Sequence, residues 1–590
     1  MAEKQRVQSG SYKAVLASVL PSVEMDALWV TGYMPAFAIS FRRVDLGSIL
    51  PALLYMFRRG VRRGAGKFHT TYRGASGAVT VLDIVNALLA DGAMVHAAQP
   101  AYALLADYLL CTSFENKNHA LSRSAPVIRA YANHYLSAWI DLPRNSIDLR
   151  LTPELLLTTL AWQSAGEHLT WQAANQPGFA MTDRYADNNL LRVLGSGMQP
   201  RNKEDLMETW DESAQVDVEQ LVCIRVAQRL GNAPSSAADG KKGAIENRWP
   251  VAVASARRAG DDVAVFLRAY ADAIPRTALL PMLEACFGLG LSTMFLDSMQ
   301  RLSAWSEDGR LPLKDEDALC TLFVDCSYGA DAALRAASET CADERLRGVA
   351  QFTYVLAQLR ILDRRARARR LHEGFAIAPD PTAWINLLGD LLHGRHEHSE
   401  HILEPVEEMC GNLGAALQDE PAAEELCRTL AASEASPVRR FAAALSQMMG
   451  YRSVDRHVFD WADSVWRTNS PDGMARSRRR RDGNSRRMVR SFVLSDVLLD
   501  YLVHRYLIGE DGSPRRLSLR EFLRILRVRY GLYVDQAPPG QSIAHGMLAH
   551  NRRILEERLR DLGLLVSVND ADGMKFLRPR FAAAHSGGQA

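Results

Sequence analysis

The sequence predicts a mainly α-helical protein, with a large multi-helical body followed by a small C-terminal α+β domain. In segments such as 151–174 and 331–365, apolar residues recur every three or four positions, as they do along one face of an α-helix. Alternating apolar and polar residues, the pattern of a strand, are rare before residue 560. No fixed internal period is visible, so a solenoid of divergent repeats and a body of irregular helical hairpins both fit this pattern.

Changes in composition suggest how the chain is divided. Segments near 195–205 and 231–243 are rich in Gly, Pro, Ser and charge, as loops and linkers are. The segment 471–490 contains eight Arg and two Asp, without apolar periodicity. We therefore expect an N-terminal helical domain at 1–200, a central helical domain at 201–470, an Arg-rich linker at 471–490, a small domain at 491–581 and a flexible tail at 582–590.

The small domain has the most specific pattern. A first helix is predicted at 495–507, and a second begins at the capping box formed by Ser518 and Glu521. A Pro- and Gly-containing loop leads to a third helix at about 542–562, and two short strands follow at 564–568 and 574–578. The predicted order is therefore three helices followed by a β-hairpin.

This order resembles a winged-helix domain over residues 491–581. The resemblance rests on the order of the elements and on the helix-to-hairpin ending, because no invariant motif is present. It implies binding of nucleic acid through the third helix and the hairpin, although many winged helices bind proteins instead. A small helical cap that ends in a hairpin is the alternative.

Charge is concentrated at the same end of the chain. The 590 residues include 70 basic and 68 acidic side chains, a net charge of +2. Residues 471–581 alone hold 22 basic and 13 acidic side chains, so this region carries +9 and the remainder carries −7. A phosphate-binding module on an acidic scaffold has this asymmetry, and so does a solvated domain whose arginines pair with neighbouring acids.

The candidate nucleic-acid contacts are basic side chains of the linker, the second and third helices and the hairpin. Two glutamates, Glu556 and Glu557, are predicted on the outer face of the third helix and would repel phosphates. Only the N-terminal half of that helix therefore suits a groove. The candidates are Arg478, Arg479, Arg480, Arg481, Arg486, Arg487, Arg520, Arg524, Arg527, Arg552, Arg553, Lys575 and Arg578.

The tract 393–401 contains four of the fifteen histidines. His393, His396 and His401 are weak candidates for metal ligands, since imidazoles can bind zinc. The tract lacks the H-E-x-x-H signature, because residue 400 is Glu. We expect an exposed polar segment here, and we predict no metal and no cofactor.

These features favour a non-enzymatic scaffold or adaptor subunit without assigned catalytic residues. The helical body would bind a protein partner, and the basic C-terminal region would bind DNA or RNA phosphates, with DNA favoured. A bacterial multi-component anti-phage defence or restriction system is the expected setting. The alternatives are a subunit that binds only proteins and a divergent metal-dependent enzyme that uses the His-rich tract.

A cytoplasmic location without membrane attachment is also expected. The eight cysteines contain no C-x-x-C pair and are too sparse for a disulfide scaffold. The first residues lack the apolar core of a signal peptide.

Overall fold

The protein is mainly α-helical, as predicted. A computed structural model describes residues 12–37, 39, 41–59, 71–72, 77–90, 92, 99–116, 122–140, 151–165, 189–198, 213–230, 250–312, 319–375, 381–418, 423–482, 485–567 and 575–583. The expected boundary at residue 200 and residues 584–590 of the expected tail lie outside these ranges.

The first half of the body combines helices with one small two-stranded sheet. A 3-10 helix, Tyr135–Trp139, lies between this sheet and the next α-helix. The elements are α1 (Ser22–Leu28), α2 (Leu46–Arg59), α3 (Val81–Ala90), α4 (Gln99–Thr112), β1 (Phe114–Asn116), β2 (Val127–Ala130), α5 (Thr152–Ala165), α6 (Asn189–Leu194), α7 (Val218–Leu230), α8 (Val253–Tyr270) and α9 (Arg276–Asp308).

The second half of the body contains one strand followed by a series of helices. A second 3-10 helix, Leu371–Phe375, follows the longest of these α-helices. The elements are β3 (Leu322–Asp325), α10 (Ala332–Leu346), α11 (Gly348–Ala368), α12 (Thr382–Leu392), α13 (Ser399–Leu417), α14 (Glu424–Ala431), α15 (Pro437–Met449) and α16 (Tyr451–Val465).

Helix α9 is the centre of the body. It contacts its sequence neighbour α8, and also α2 and α11. Contacts with helices so far apart in the chain favour an irregular helical body over a solenoid, in which each repeat touches only its neighbours. Within the described part of the chain, α9 is the one helix long and apolar enough to cross a membrane, and 83% of its most apolar stretch is buried inside the protein.

An aromatic cluster fills the core beside α9. Phe295 of α9 packs against Phe37, Phe41, Phe352 and Trp461, with ring centroids 5.4–6.3 Å apart. Edge-to-face packing predominates among these rings, which is the favoured geometry for aromatic pairs. The cluster therefore joins the N-terminal segment to α11 and α16 in one continuous core.

The Arg-rich segment expected to be an irregular linker is instead a β-hairpin. Strands β4 (Ala475–Asp482) and β5 (Ser485–Val493) pair along their full lengths, from Ala475 opposite Phe492 to Asp482 opposite Ser485. We call this hairpin the ribbon. The prediction of a linker at 471–490 was wrong, and strand β5 also crosses the boundary expected at residue 491.

The base of the ribbon belongs to a four-stranded sheet of order β4-β5-β3-β7, in which β7 is Leu532–Tyr533. Strand β3 pairs in parallel with β5 through only two residue pairs, Val324 with Phe492 and Asp325 with Val493. It pairs in parallel with β7 on its other side. The sheet thus joins segments that the sequence assigned to three separate units.

The helices and hairpin predicted for 491–581 are present, together with β7 and a further strand, β6, that were not predicted. The remaining elements are α17 (Asp496–Tyr506), β6 (Leu517–Ser518), α18 (Leu519–Tyr530), α19 (His545–Asp561), β8 (Leu565–Ser567) and β9 (Lys575–Leu577). The Ser518 side chain accepts a hydrogen bond from the Glu521 amide, as the predicted cap requires. Strands β6, β9 and β8 form a three-stranded antiparallel sheet in that order.

A buried charge network ties this small domain to the body. The guanidinium of Arg505, 1% exposed, donates from Nε to Oδ1 of Asp262 on α8 at 2.9 Å. Arg529 and Tyr530 of α18 also donate to the Asp262 carboxylate. The buried carboxylate is thereby fully paired, as a buried charge must be.

Candidate nucleic-acid interface

The two faces of the ribbon differ in what they contact. Alternate residues of a strand point to opposite faces, and residues directly opposite each other on paired strands share a face. We call the two faces the inner face and the open face. The inner face carries Arg478, Arg480 and Arg487, and the open face carries Arg479, Arg481 and Met488.

Ion pairs fix the inner face to α10. Arg478 donates from both Nε and an Nη to the carboxylate of Glu339, with an Nη–Oε2 distance of 2.7 Å. Glu339 is only 3% exposed, and its hydrogen bond raises the pKa of the Arg478 guanidinium. Arg487 pairs with Asp343 one turn further along α10. Two of the predicted phosphate contacts therefore already have acidic partners.

A third ion pair fixes the base of the open face to α16. Arg490 donates to both carboxylate oxygens of Asp463, at 2.8 and 2.6 Å. Its guanidinium also lies 4.2 Å from the ring centroid of Phe459, a cation–π contact. The ribbon is therefore held between two helices at its base, and its orientation is set before any ligand binds.

Three consecutive arginines of strand β4 have no such anchors. Arg479, Arg480 and Arg481 are exposed and have no acidic partner within the described ranges. Met488, opposite Arg479, is 44% exposed. The strand at Arg486 is described, but its side chain lies outside the described residues. The far end of the ribbon thus presents unpaired positive charge from a fixed base.

Helix α18 carries a second exposed basic stripe. Arg520 and Arg524 are exposed and one helical turn apart, and neither has an acidic partner among the residues that the structure describes. Arg527 differs, because it pairs with Asp535 at 2.6 Å and is only 17% exposed. Two of the three predicted residues on this helix are consequently available for binding.

The edge of the small sheet extends this stripe with a residue that the sequence reasoning missed. Arg516 is exposed, and its guanidinium lies 3.6 Å from the ring centroid of Phe576. Arg516 precedes Leu517, which pairs with Leu577 across the sheet. Because the two strands are antiparallel, Arg516 lies beside the exposed Arg578. The sequence signal for Arg516 was its place just before the second-helix capping box.

The charges of α19 are largely paired within the domain. Lys575, expected on the hairpin surface, forms a 2.9 Å ion pair with Glu556, and both side chains are 9% exposed. Arg552 pairs with the same carboxylate at 3.1 Å, and Arg553 donates to His550. This arrangement corrects the outward position expected for Glu556, which is buried because basic groups from two elements surround it.

The N-terminal half of α19 packs one of its faces against the body. Leu548 joins a small apolar cluster with Phe323 of β3 and Leu334 of α10. Asn551 is fully buried. Its side-chain oxygen Oδ1 accepts a hydrogen bond from the Cys326 N–H, and its side-chain nitrogen Nδ2 donates to the carbonyls of Val324 and Val534. This face of the helix therefore has a structural role, whereas Arg553, one of the predicted contacts, is exposed.

The family model for methylation-associated defense system protein MAD7 matches residues 178–581. The chain belongs to this family. The match covers both the ribbon and the small domain, and it agrees with the defence setting that the sequence predicted. No curated protein and no solved structure matches the chain.

In this MAD7 family member, the three candidate metal ligands lie along the connection from α12 to the first turn of α13. His393 follows the end of α12, whereas α13 begins only at Ser399, so His393 and His401 lie on different elements. Burial and neighbouring arginines lower the pKa of His393. Within the described ranges, no three His, Cys, Asp or Glu side chains are grouped to hold a metal ion. The hypothesis of a metal-dependent enzyme gains no support from this geometry.

Proposed function

We propose that this chain is a non-enzymatic, cytoplasmic scaffold subunit of its defence system and that it binds DNA through the ribbon. The observation that carries the proposal is the division of the ribbon arginines into two sets. Arg478, Arg487 and Arg490 are held by acids of the body, and Arg479, Arg480 and Arg481 are left exposed. A fixed base and unpaired guanidinium groups are what phosphate binding needs.

The small domain supplies a second candidate surface. The helices and the three-stranded sheet of order β6-β9-β8 support the winged-helix assignment for 491–581. The exposed basic residues of α18 and the sheet edge are Arg516, Arg520, Arg524 and Arg578. These residues would contact the phosphate backbone, and the helical body would hold a protein subunit of the same system.

The test compares two double charge reversals. Arg479→Glu with Arg481→Glu changes the ribbon, and Arg364→Glu with Arg369→Glu makes the same change in charge on the exposed surface near the end of α11. Binding of a fluorescently labelled DNA duplex is measured by anisotropy at about 50 and 200 mM salt. We expect the ribbon variant to bind at least about tenfold more weakly, with a weaker salt dependence, and the control to bind like the wild type.

Equal losses in the two variants would show a general charge effect and would overturn the proposal. A wild-type protein that binds no nucleic acid, and that co-purifies with a stoichiometric protein partner from its host, would favour the alternative of a subunit that binds only proteins.

A further inference from the structure

We infer that the open face of the ribbon lies in the major groove of duplex DNA and contacts base edges there. This inference rests on the proposed function and specifies which form of nucleic acid is bound and which groove the ribbon enters. It starts from the shape of the ribbon, which is two antiparallel strands with one face covered by α10 and the other face open beyond Arg490.

The dimensions favour the major groove. Paired strands lie about 4.8 Å apart, and the major groove of B-form DNA, about 12 Å wide, admits a two-stranded ribbon. The minor groove is about 6 Å wide, which is too narrow for two strands with their side chains. A-form RNA has a deep and narrow major groove that side chains cannot read. Duplex DNA is therefore the nucleic acid that this element fits.

The body leaves the open face of the outer ribbon uncovered. The ion pairs to α10 are made by Arg478 and Arg487, which both lie on the inner face. Beyond the cross-strand pair of Arg480 and Arg487, strand β4 continues for two more residues, about 7 Å. Only the base of β5 pairs with β3, so the sheet does not extend along this outer part.

The side chains of the open face suit base edges. Arg479 and Arg481 carry forked donors, and an arginine can donate two hydrogen bonds to guanine O6 and N7. Met488 lies opposite Arg479 and is 44% exposed, although a large apolar side chain gains by leaving water. The thymine methyl group is the apolar feature of the major groove, and it is absent from the minor groove.

The experiment removes that methyl group from the DNA. Wild-type binding is compared on an alternating dA-dT duplex and on a dA-dU duplex, which lacks only the thymine methyl. We expect about fourfold weaker binding to the uracil duplex, equivalent to about 0.8 kcal/mol for one methyl group. The Met488→Ala variant should bind the two duplexes equally. The control Val23→Ala, which truncates a side chain 66% exposed on α1, should keep the fourfold difference.

A double-stranded RNA of alternating A and U is the third probe, and we expect it to bind at least about tenfold more weakly than the dA-dT duplex. Equal wild-type binding to the two DNA duplexes, or RNA binding as tight as DNA binding, would overturn the groove assignment and leave DNA binding by the ribbon intact. Unchanged affinity of the Arg479→Glu and Arg481→Glu double variant would instead overturn the proposed function.

Discussion

The ribbon and helix α19 are both basic segments near the C-terminal end, but they differ in how many of their charged side chains are exposed. The ribbon was expected to be an irregular linker, yet it is a regular element whose outer arginines are exposed. Only the N-terminal half of helix α19 was expected to face nucleic acid, and much of the helix is taken up by internal contacts, with Asn551 fully buried and Glu556 buried among basic groups. The availability of a charged side chain therefore depends on the partners that the fold brings to it.

The two segments also differ in what holds them. Ion pairs fix the ribbon at its base, whereas an apolar cluster and three buried hydrogen bonds fix α19. We therefore expect changes in α19 to alter mainly stability and changes at the end of the ribbon to alter mainly binding. The following predictions test this division.

The largest effect is expected for Asn551→Ala. The change leaves the Cys326 amide and two carbonyl groups without their partner in a buried site. An unsatisfied buried polar group costs about 1–3 kcal/mol, so we expect the free energy of unfolding to fall by about 3 kcal/mol. Urea unfolding measures this loss. The control Glu557→Ala, exposed on the same helix, should change it by less than about 0.5 kcal/mol.

DNA affinity of Asn551→Ala, measured where the protein is folded, should match that of the wild type. A large loss of DNA affinity with unchanged stability would reverse the comparison and would make α19 the binding element.

The next effect concerns the reactivity of Cys341, which packs in the cluster under α19. Burial raises the pKa of the Cys341 thiol, and the thiolate is the reactive form, so alkylation should be slow in the folded protein. Asn551→Ala should speed alkylation at least about tenfold, because it favours local opening of α19. Mass spectrometry after iodoacetamide treatment measures the rate, with the exposed Cys111 as internal reference. Similar acceleration in the Arg479→Glu and Arg481→Glu variant would show that the two segments are coupled.

A smaller effect is expected on α18. Arg520→Glu with Arg524→Glu should weaken DNA binding about fivefold by removing backbone contacts from the small domain. The loss should be smaller than that of the ribbon variant, because the neighbouring α19 packs on the body. Arg527→Gln is the control, since Arg527 already pairs with Asp535. Unchanged binding in the double variant would remove the small domain from the interface.

The smallest effect is expected for Arg480→Gln. One phosphate contact fewer should reduce the slope of log affinity against log salt by about 0.9. Anisotropy titrations over a range of salt concentrations measure the slope, and Arg369→Gln should leave it unchanged. An unaltered slope in Arg480→Gln would place this inner-face residue outside the interface.

The sequence predicted the small domain well because its helices and strands have local signals. Apolar periodicity marks α17, α18 and α19, and Ser518 caps α18 as its spacing with Glu521 indicated. The ribbon lacked such a signal, since most of its residues are arginine or serine and show no apolar alternation. The Gly483-Asn484 dipeptide, a common two-residue connection of β-hairpins, was the one local sign of it.

The helical class, the order of the three helices and the hairpin in the small domain, and the concentration of positive charge after residue 470 follow from the amino-acid sequence alone. Which of those charges are exposed depends on the tertiary packing. Arg478 forms an ion pair with Glu339, which lies 139 residues earlier in the chain. Lys575 forms an ion pair with Glu556, and the fold buries both side chains. Composition counts charges, whereas ion pairing depends on which distant segments the packing of the core brings together.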